Sequence, residues 1–296
     1  MTNSWLTEGP RGRRLLWELV AGPDHAFSVP TADAVRAAAA SWGEEDLLRA
    51  FADSVTWARY WQEPDEVDAA LDPLGAALEP VADAVPVPAW WQTPVAAAEQ
   101  VLVVWEGSAP TLVGAEAKLA AWRDATVADE HLAQERPSAL PAPWSGWWWS
   151  TPALSGLPVT SRAVAGVRLV EDDLGWTSAD LVPVAPAADA RVLEVHGPED
   201  WVGLVEAHPL EVTASRRHDW WRATGATGPL LMPDYCSVAE EWDGVHVSAR
   251  GYLTTATRAL PAASGSTVLA GWSPDQTWWL TDCLAPAGPP HRLSRT

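Results

Sequence analysis

Residues 266–281 read STVLAGWSPDQTWWLT, and their two apolar runs give the clearest indication of the fold. The runs at 266–272 and 277–281 are rich in β-branched and aromatic residues and flank the polar tetrapeptide SPDQ, a pattern typical of two strands joined by a turn. Pro274 presets the first central dihedral angle of a type I turn. Similar runs occur upstream, at residues 165–170, 190–195 and 245–248. We therefore predict a C-terminal lobe around an antiparallel sheet that ends in a hairpin.

The N-terminal part of the chain predicts a mainly helical lobe. Apolar residues recur at steps of three and four in residues 11–20, 44–61 and 115–134, which is the spacing of amphipathic helices. One β-branched run, QVLVVW at residues 100–105, is instead predicted to be a buried strand.

A segment rich in Pro, Gly and Ser, residues 137–150, contains four tryptophans and marks the best internal boundary. We place a mainly helical lobe at residues 1–143 and a mixed lobe with the antiparallel sheet at residues 144–296. The predicted fold class is α+β. A single intertwined domain is the alternative.

The charge of the chain excludes some classes of partner. Among its 296 residues, 39 are acidic and 19 are Lys or Arg, so the formal net charge is −20. Such a chain repels the phosphate backbone of nucleic acids and anionic membrane surfaces. We therefore predict no nucleic-acid partner and no membrane partner.

Targeting segments and metal motifs are also missing from the sequence. Arginines and Glu8 interrupt any secretory apolar run at the N-terminus, and no stretch resembles a membrane-spanning helix, so a cytoplasmic location is expected. The two cysteines, Cys236 and Cys283, have no zinc-ligand spacing and are predicted to be reduced and buried. We predict no metal site.

The first cluster of basic residues is GPRGRR at residues 9–14, directly before a predicted helix. Arginine forks and a helix N-terminus both favour an anion. Cations in a first helical turn are otherwise unfavourable, so a partner is expected. That partner is either an anionic ligand or acidic residues of a neighbouring lobe.

The second cluster is SRRHDWWR at residues 215–222. Arg216, Arg217, His218 and Arg222 could together recognise an oxyanion beside an apolar body. The alternative is a salt-bridged patch between the lobes, with the indoles as packing residues.

The third cluster is WDGVHVSARGY at residues 242–252. On the predicted strand, His246, Ser248 and Arg250 alternate with apolar residues and would project from one face. Asp243 could orient the ring of His246, which could then act as a general base. The alternative is a half-exposed strand with a hydrogen-bonded histidine.

Motifs for the commonest cofactors are absent from the sequence. It contains no dinucleotide-binding GxGxxG, no Walker phosphate loop, no HExxH and no GxSxG elbow. We predict no cofactor.

Two segments carry a resemblance: TEGPRGRRLLWELV near the start, and the stretch from SRRHDWWRATG to SPDQTWWL near the end. They resemble uncharacterised actinomycete proteins and are similar to the larger subunit of the aziridine-forming enzymes of azinomycin- and vazabitide-type pathways. The resemblance covers roughly a third of the chain, and neither segment is a catalytic motif.

The resemblance implies an intramolecular ring closure, in which an amine attacks an adjacent carbon and expels sulfate. It also implies a smaller partner subunit in a heterodimer, a substrate held on an acidic carrier protein, and no cofactor. From residue type and clustering, we assign anion and substrate binding to six residues and proton acceptance to Asp243 or His246. The six are Arg216, Arg217, His218, Arg222, Arg250 and Tyr252. The alternatives are a non-catalytic subunit that binds an anion or a partner, and a housekeeping protein whose clusters are salt bridges.

Overall fold

A computed structural model describes residues 2–21, 31–105, 109–171 and 175–294. Helices and a mixed sheet share these ranges, and the predicted α+β class is confirmed. None of the helices in the described ranges is both long and apolar enough to cross a membrane.

The first helices of the chain pack against one another. In α1, Pro10 occupies the first position, where its missing N–H costs no hydrogen bond. The helix packs against α3, and its Leu15, Leu16 and Trp17 are buried. In chain order the helices are α1 (Pro10–Val20), α2 (Ala32–Ala39), α3 (Glu44–Thr56), α4 (Glu66–Leu71), α5 (Gly75–Ala84), α6 (Ala115–Ala133), α7 (Ala163–Arg168), α8 (Pro198–Ala207), α9 (Thr213–Thr224), α10 (Tyr235–Glu241) and α11 (Ala249–Thr255).

The strands are β1 (Val101–Val104), β2 (Val159–Ser161), β3 (Ser178–Pro186), β4 (Val192–Val195), β5 (Pro209–Glu211), β6 (Leu231–Pro233), β7 (Gly244–Val247), β8 (Leu260–Ala262), β9 (Gly265–Thr267), β10 (Gln276–Trp279), β11 (Leu284–Pro286) and β12 (His291–Ser294). The main sheet has the order β11-β3-β1-β2-β10-β7-β4, and β12 also pairs with β3. Its pairs are antiparallel except for the parallel pair β4–β7. The pairs β5–β6 and β8–β9 form two small separate sheets.

Packing crosses the predicted boundary between residues 143 and 144. Strand β1 lies inside the main sheet, between β2 and β3 from the C-terminal part. Tyr60 stacks on Trp148 with ring centroids 5.1 Å apart, and Phe51 lies 6.3 Å from the ring of Tyr252. The division into two lobes stays a prediction, and one continuous buried cluster contains residues from both sides of it.

The hairpin predicted over residues 266–281 does not form. Only the start of its first run is a strand, β9, and this pairs with β8, whereas β10 pairs with β2 and β7. The backbone N–H and C=O of Ala270 bond to Ser150, so this stretch has a partner other than the second run. Pro274 and Asp275 do form a turn, but the φ of 60° at Asp275 is not that of a type I turn, and Asp275 is buried in an ion pair with Arg162.

Two other predicted strands differ from the structure. Residues 165–170 fall largely in helix α7 instead of a strand. The strand predicted to continue to Arg250 stops at Val247, because the Ser248 side chain accepts from the Gly251 N–H and caps α11. His246, Ser248 and Arg250 therefore do not share one strand face.

Candidate functional site

The cationic side chains of α9 bond to other segments of the chain. The Arg216 guanidinium is 1% exposed, lies 3.3 Å from the Asp129 carboxylate and donates to the Trp149 carbonyl. Burial lowers the pKa of Arg216 to about 10, even though the Asp129 charge opposes this shift. The prediction that Arg216 binds an external anion receives no support from this geometry, because the side chain is buried and its Nε and Nη1 atoms already have partners.

Arg217 and His218 bond to the chain segment that follows α6. Arg217 donates to the carbonyls of Ala133 and Arg136, at the C-terminal end of α6, where cations are favourable. The Nε2 atom of His218 lies 2.9 Å from the Pro137 carbonyl, and burial lowers the pKa of His218. Both side chains thus fix this segment against α9.

A cleft of about 660 Å³ lies between α1, α4 and the end of α9. Its lining includes Arg11 and Arg13 from the first basic cluster and Arg222 from the second. The two clusters, separated by about two hundred residues in the sequence, therefore meet at one cleft. Of the six predicted anion-binding residues, only Arg222 lines it.

The acidic residues of α4 and its surroundings neutralise the arginines of α1. Arg11 forms a buried ion pair with Asp68, and Arg13 pairs with Asp72 at 2.8 Å. Arg14 lies 2.9 Å from Asp65. Of the two partners considered for residues 9–14, the structure therefore shows acidic side chains of a neighbouring element.

Two arginines of the cleft have no carboxylate partner in the described part of the chain. Arg59 lies over the Trp57 ring, 4.8 Å from its centroid, and Arg258 donates only to the carbonyls of Glu8 and Thr254. Glu63 likewise lines the cleft and has no ion-pair partner among the described residues.

The cleft differs in charge from the rest of the protein. It is lined by five arginines and four carboxylates, an excess of one positive charge, whereas the whole chain carries −20. An anionic group is therefore repelled less here than elsewhere on the surface. The unpaired groups Arg59, Arg258 and Glu63 leave the cleft able to pair with both an anion and a cation of one small ligand.

His246 has carboxylate partners, but Asp243 is not one of them. Its Nδ1 lies 2.5 Å from the Glu194 carboxylate on the neighbouring strand β4, and its Nε2 lies 3.6 Å from Asp275. Burial alone would lower the pKa of His246, but Asp275 and Glu194 outweigh it and raise the pKa to about 8.

Asp243 has a structural position at the start of β7. Its carboxylate accepts from the Arg191 backbone N–H and from the Thr281 hydroxyl, both at 2.8 Å. The predicted pairing of Asp243 with His246 is therefore corrected, because these partners hold Asp243 at the strand end. Neither Asp243 nor His246 lines the cleft.

Arg250 and Tyr252 lie on α11 and point to different surroundings. Arg250 lies 5.4 Å from the centroid of the Trp5 ring. Tyr252 is buried, and its hydroxyl donates to the Glu171 carboxyl group at 2.9 Å. Neither residue lines the cleft.

Cys236 and Cys283 are both free and half-buried, whereas burial was predicted. Within the described ranges, no group of three or more His, Cys, Asp or Glu side chains is arranged to hold a metal ion.

Comparison with known proteins adds no relative: the chain matches no family model, and no curated protein or solved structure shows significant similarity to it. The residues and the geometry of the cleft are therefore the basis on which a function can be inferred.

Sequence reasoning missed Arg59, Glu63 and Arg258. Arg59 and Arg258 lie outside the basic clusters, and Glu63 begins the acidic run EPDEVD at residues 63–68; the importance of each comes only from its position beside α1 and α9. No feature of the sequence pattern distinguishes these residues from surface charges.

Proposed function

We propose that this protein is a small-molecule biosynthetic enzyme that closes an aziridine ring by intramolecular amine attack with sulfate elimination, and that the cleft holds the reacting group. One observation carries the proposal: two arginine clusters that are distant in sequence converge on a cleft with an excess of positive charge in a strongly acidic chain. A vicinal amino sulfate carries one anionic and one cationic group, and the cleft offers unpaired partners for both.

The chemical step needs three contributions from the chain. The lone pair of the neutral amine forms the new N–C bond while the C–O bond to sulfate breaks and its electron pair leaves on the sulfate oxygen. Before the attack, the bound ammonium group gives a proton to a carboxylate, for which Glu63 is the unpaired candidate in the cleft. After it, the protonated ring nitrogen releases its extra proton to the solvent. Arg59 and Arg258 stabilise the charge that develops on the departing sulfate.

Holding the amine and the leaving group in line is the remaining contribution. Orienting two groups within one substrate removes rotational freedom before the reaction and lowers its barrier by several kcal/mol. The cleft walls on α1 and α4 are fixed by the ion pairs of Arg11 and Arg13, so the arginine side chains are held in defined positions. No cofactor is required for this displacement.

The proposal includes the partners expected from the sequence. A smaller protein subunit would complete a heterodimer, and an acidic carrier protein would deliver the substrate in the cytoplasm. Because carrier and chain are both acidic, attraction between them would be confined to surfaces such as the rim of the cleft.

The decisive experiment measures sulfate release from a vicinal amino sulfate by the chain together with its partner subunit. We expect Arg258→Gln to reduce release by about tenfold or more, because one donor to the leaving group is lost. Glu63→Gln should reduce it and shift its pH dependence. The matched control is Arg292→Gln, which removes an exposed arginine that lies outside the cleft.

A second function, a non-catalytic subunit that binds an anion or a partner, is favoured by one observation. The described lining of the cleft contains no histidine and no cysteine, the usual groups for proton transfer and nucleophilic attack near neutral pH. This function predicts sulfate binding that Arg258→Gln weakens, with no sulfate release by any pairing of subunits. Release by the wild-type pair would exclude it.

A further inference from the structure

A second cavity, of about 230 Å³, lies beside strands β1, β2 and β10. Two indoles, those of Trp105 and Trp278, line it together with Glu171 and the polar residues Ser273 and Gln276. None of its described lining residues is shared with the cleft, so this cavity is a separate site.

Glu171 is a buried acid with an unusual environment. Glu171 is only 7% exposed. One of its carboxyl oxygens bonds to the hydroxyls of Tyr60 and Tyr252, at 3.1 Å and 2.9 Å. The other carboxyl oxygen is buried without a hydrogen-bond partner. Burial raises the pKa of Glu171 to about 8, and the two tyrosines, the nearby Gly271 backbone N–H and the charge of Arg11 only partly oppose this.

The Tyr60 hydroxyl can accommodate a protonated carboxyl group at Glu171. Its hydroxyl lies within hydrogen-bond distance of both the Leu269 carbonyl, at 2.9 Å, and Glu171. A hydroxyl has one proton, so when Tyr60 donates to Leu269 it must accept from Glu171. That arrangement requires the neutral acid.

Glu171 also differs from every other buried acid in the described part of the chain. Asp219 pairs with Arg222, Asp234 with Arg123, and Asp275 with Arg162. Glu171 has no cationic side chain in an ion pair, although it lies at a cavity. A buried carboxylate is normally paired, so the missing positive charge can come from a ligand.

We propose that this cavity binds a small organic ammonium compound, whose charge pairs with the Glu171 carboxylate and whose carbon groups lie against the indoles of Trp105 and Trp278. Indole faces attract organic cations, and most strongly where water is excluded. The Trp105 ring is already stacked on Trp176, with centroids 5.8 Å apart and planes 20° apart, so one wall is positioned in advance.

Direct contact with the unpaired oxygen of Glu171 is not needed. An opposite charge within about 4–6 Å is enough to favour the ionised form of a carboxyl group. On binding, Glu171 releases its proton to the solvent. The charged and titratable groups that face it are Tyr60, Tyr252 and Arg11, and the two tyrosines stay neutral because burial raises their pKa.

The probe is choline, and the measurement is isothermal titration calorimetry on the full-length chain at pH 6, 7 and 8. Only the ionised form of Glu171 binds the cation, so the apparent affinity should rise about tenfold between pH 6 and pH 7 and less steeply towards pH 8. The uncharged analogue 3,3-dimethyl-1-butanol, which has the same shape, should bind at least about tenfold more weakly.

Two variants complete the test. Glu171→Gln should abolish choline binding, and Trp105→Leu should weaken it about tenfold. Glu79→Gln, which removes an exposed carboxylate outside the cavity, should bind choline as the wild type does. If Glu171→Gln does not fold, the pH series, the uncharged analogue and Trp105→Leu still test the proposal. Absence of choline binding at pH 8, equal binding of the uncharged analogue, or affinity that does not change with pH would overturn the proposal.

Discussion

The replacement Glu171→Gln should change how the stability of the protein depends on pH. Glutamine has nearly the same shape as a protonated glutamate, and its amide oxygen can accept from both Tyr252 and Tyr60 in place of the carboxyl oxygen that bonds to them. It cannot ionise. The variant therefore removes one titration from the folded protein while leaving the packing in place.

The size of the effect follows from the two pKa values of Glu171. The ordinary value is 4.5, and the pKa in the folded protein is about 8. Between these values the folded protein holds one more proton than the unfolded chain, so the free energy of unfolding falls as pH rises. The slope is about 1.4 kcal/mol per pH unit, which gives about 5 kcal/mol over the whole window.

The assay is urea unfolding of wild type and variant at pH 5, 6 and 7, followed by the fluorescence of the 21 tryptophans. The unfolding free energy of the variant minus that of the wild type should increase by about 3 kcal/mol from pH 5 to pH 7. His246, whose pKa is raised to about 8, titrates in both proteins and cancels in the difference. Glu79→Gln supplies the baseline for removing an exposed carboxylate.

A difference that stays constant from pH 5 to pH 7 would refute the reasoning, because it would mean that the pKa of Glu171 is not raised in the folded protein. That result would also remove the physical basis for a site that recruits an external cation.

Two further comparisons test the packing and the ion pairs. Asp68→Ala should cost about 3–5 kcal/mol in unfolding free energy, because it leaves the Arg11 guanidinium buried without its carboxylate; Asp180→Ala removes the partner of the exposed Arg292 and should cost less than about 1 kcal/mol. Equal losses would show that the Arg11 pair is not buried in solution. Gly251→Ala should destabilise the protein strongly, since the added Cβ would lie 2.1 Å from the Val195 carbonyl, whereas Gly203→Ala in α8 meets no atom within 4 Å and should stabilise it by up to about 1 kcal/mol. Thermal unfolding of the two glycine variants side by side gives the sign of each change.

Several elements followed from local sequence. The run QVLVVW forms strand β1, and the apolar spacing of residues 44–61 and 115–134 produces helices α3 and α6. In the two helices the apolar side chains keep the helical period over many residues, and in β1 the run is rich in β-branched residues, so local sequence is enough to predict each element.

The short runs were harder to assign. Residues 165–170 and 268–272 are apolar, but five or six residues do not reveal whether the segment will find a strand partner. Whether a run becomes a strand depends on the chain segments next to it in space. Ser150 bonds to the backbone of Ala270, and the Ser248 side chain caps α11 and so ends β7.

The candidate sites likewise depend partly on local sequence and partly on the tertiary structure. Arginine clusters and the acidic excess can be read from the sequence, but Glu171 is separated from Tyr60 and Tyr252 by 111 and 81 residues. His246 likewise takes its carboxylate from Glu194, 52 residues away, and not from nearby Asp243.

The sequence by itself determined the charge of the protein, the α+β class and the positions of the long amphipathic helices, because these depend on composition and on local periodicity. Only the tertiary structure decided which arginines are neutralised, which carboxylate is buried without a cation, and where cavities remain. The physical reason is that Coulomb energies and pKa values depend on distance and burial in space, which spacing along the chain does not fix.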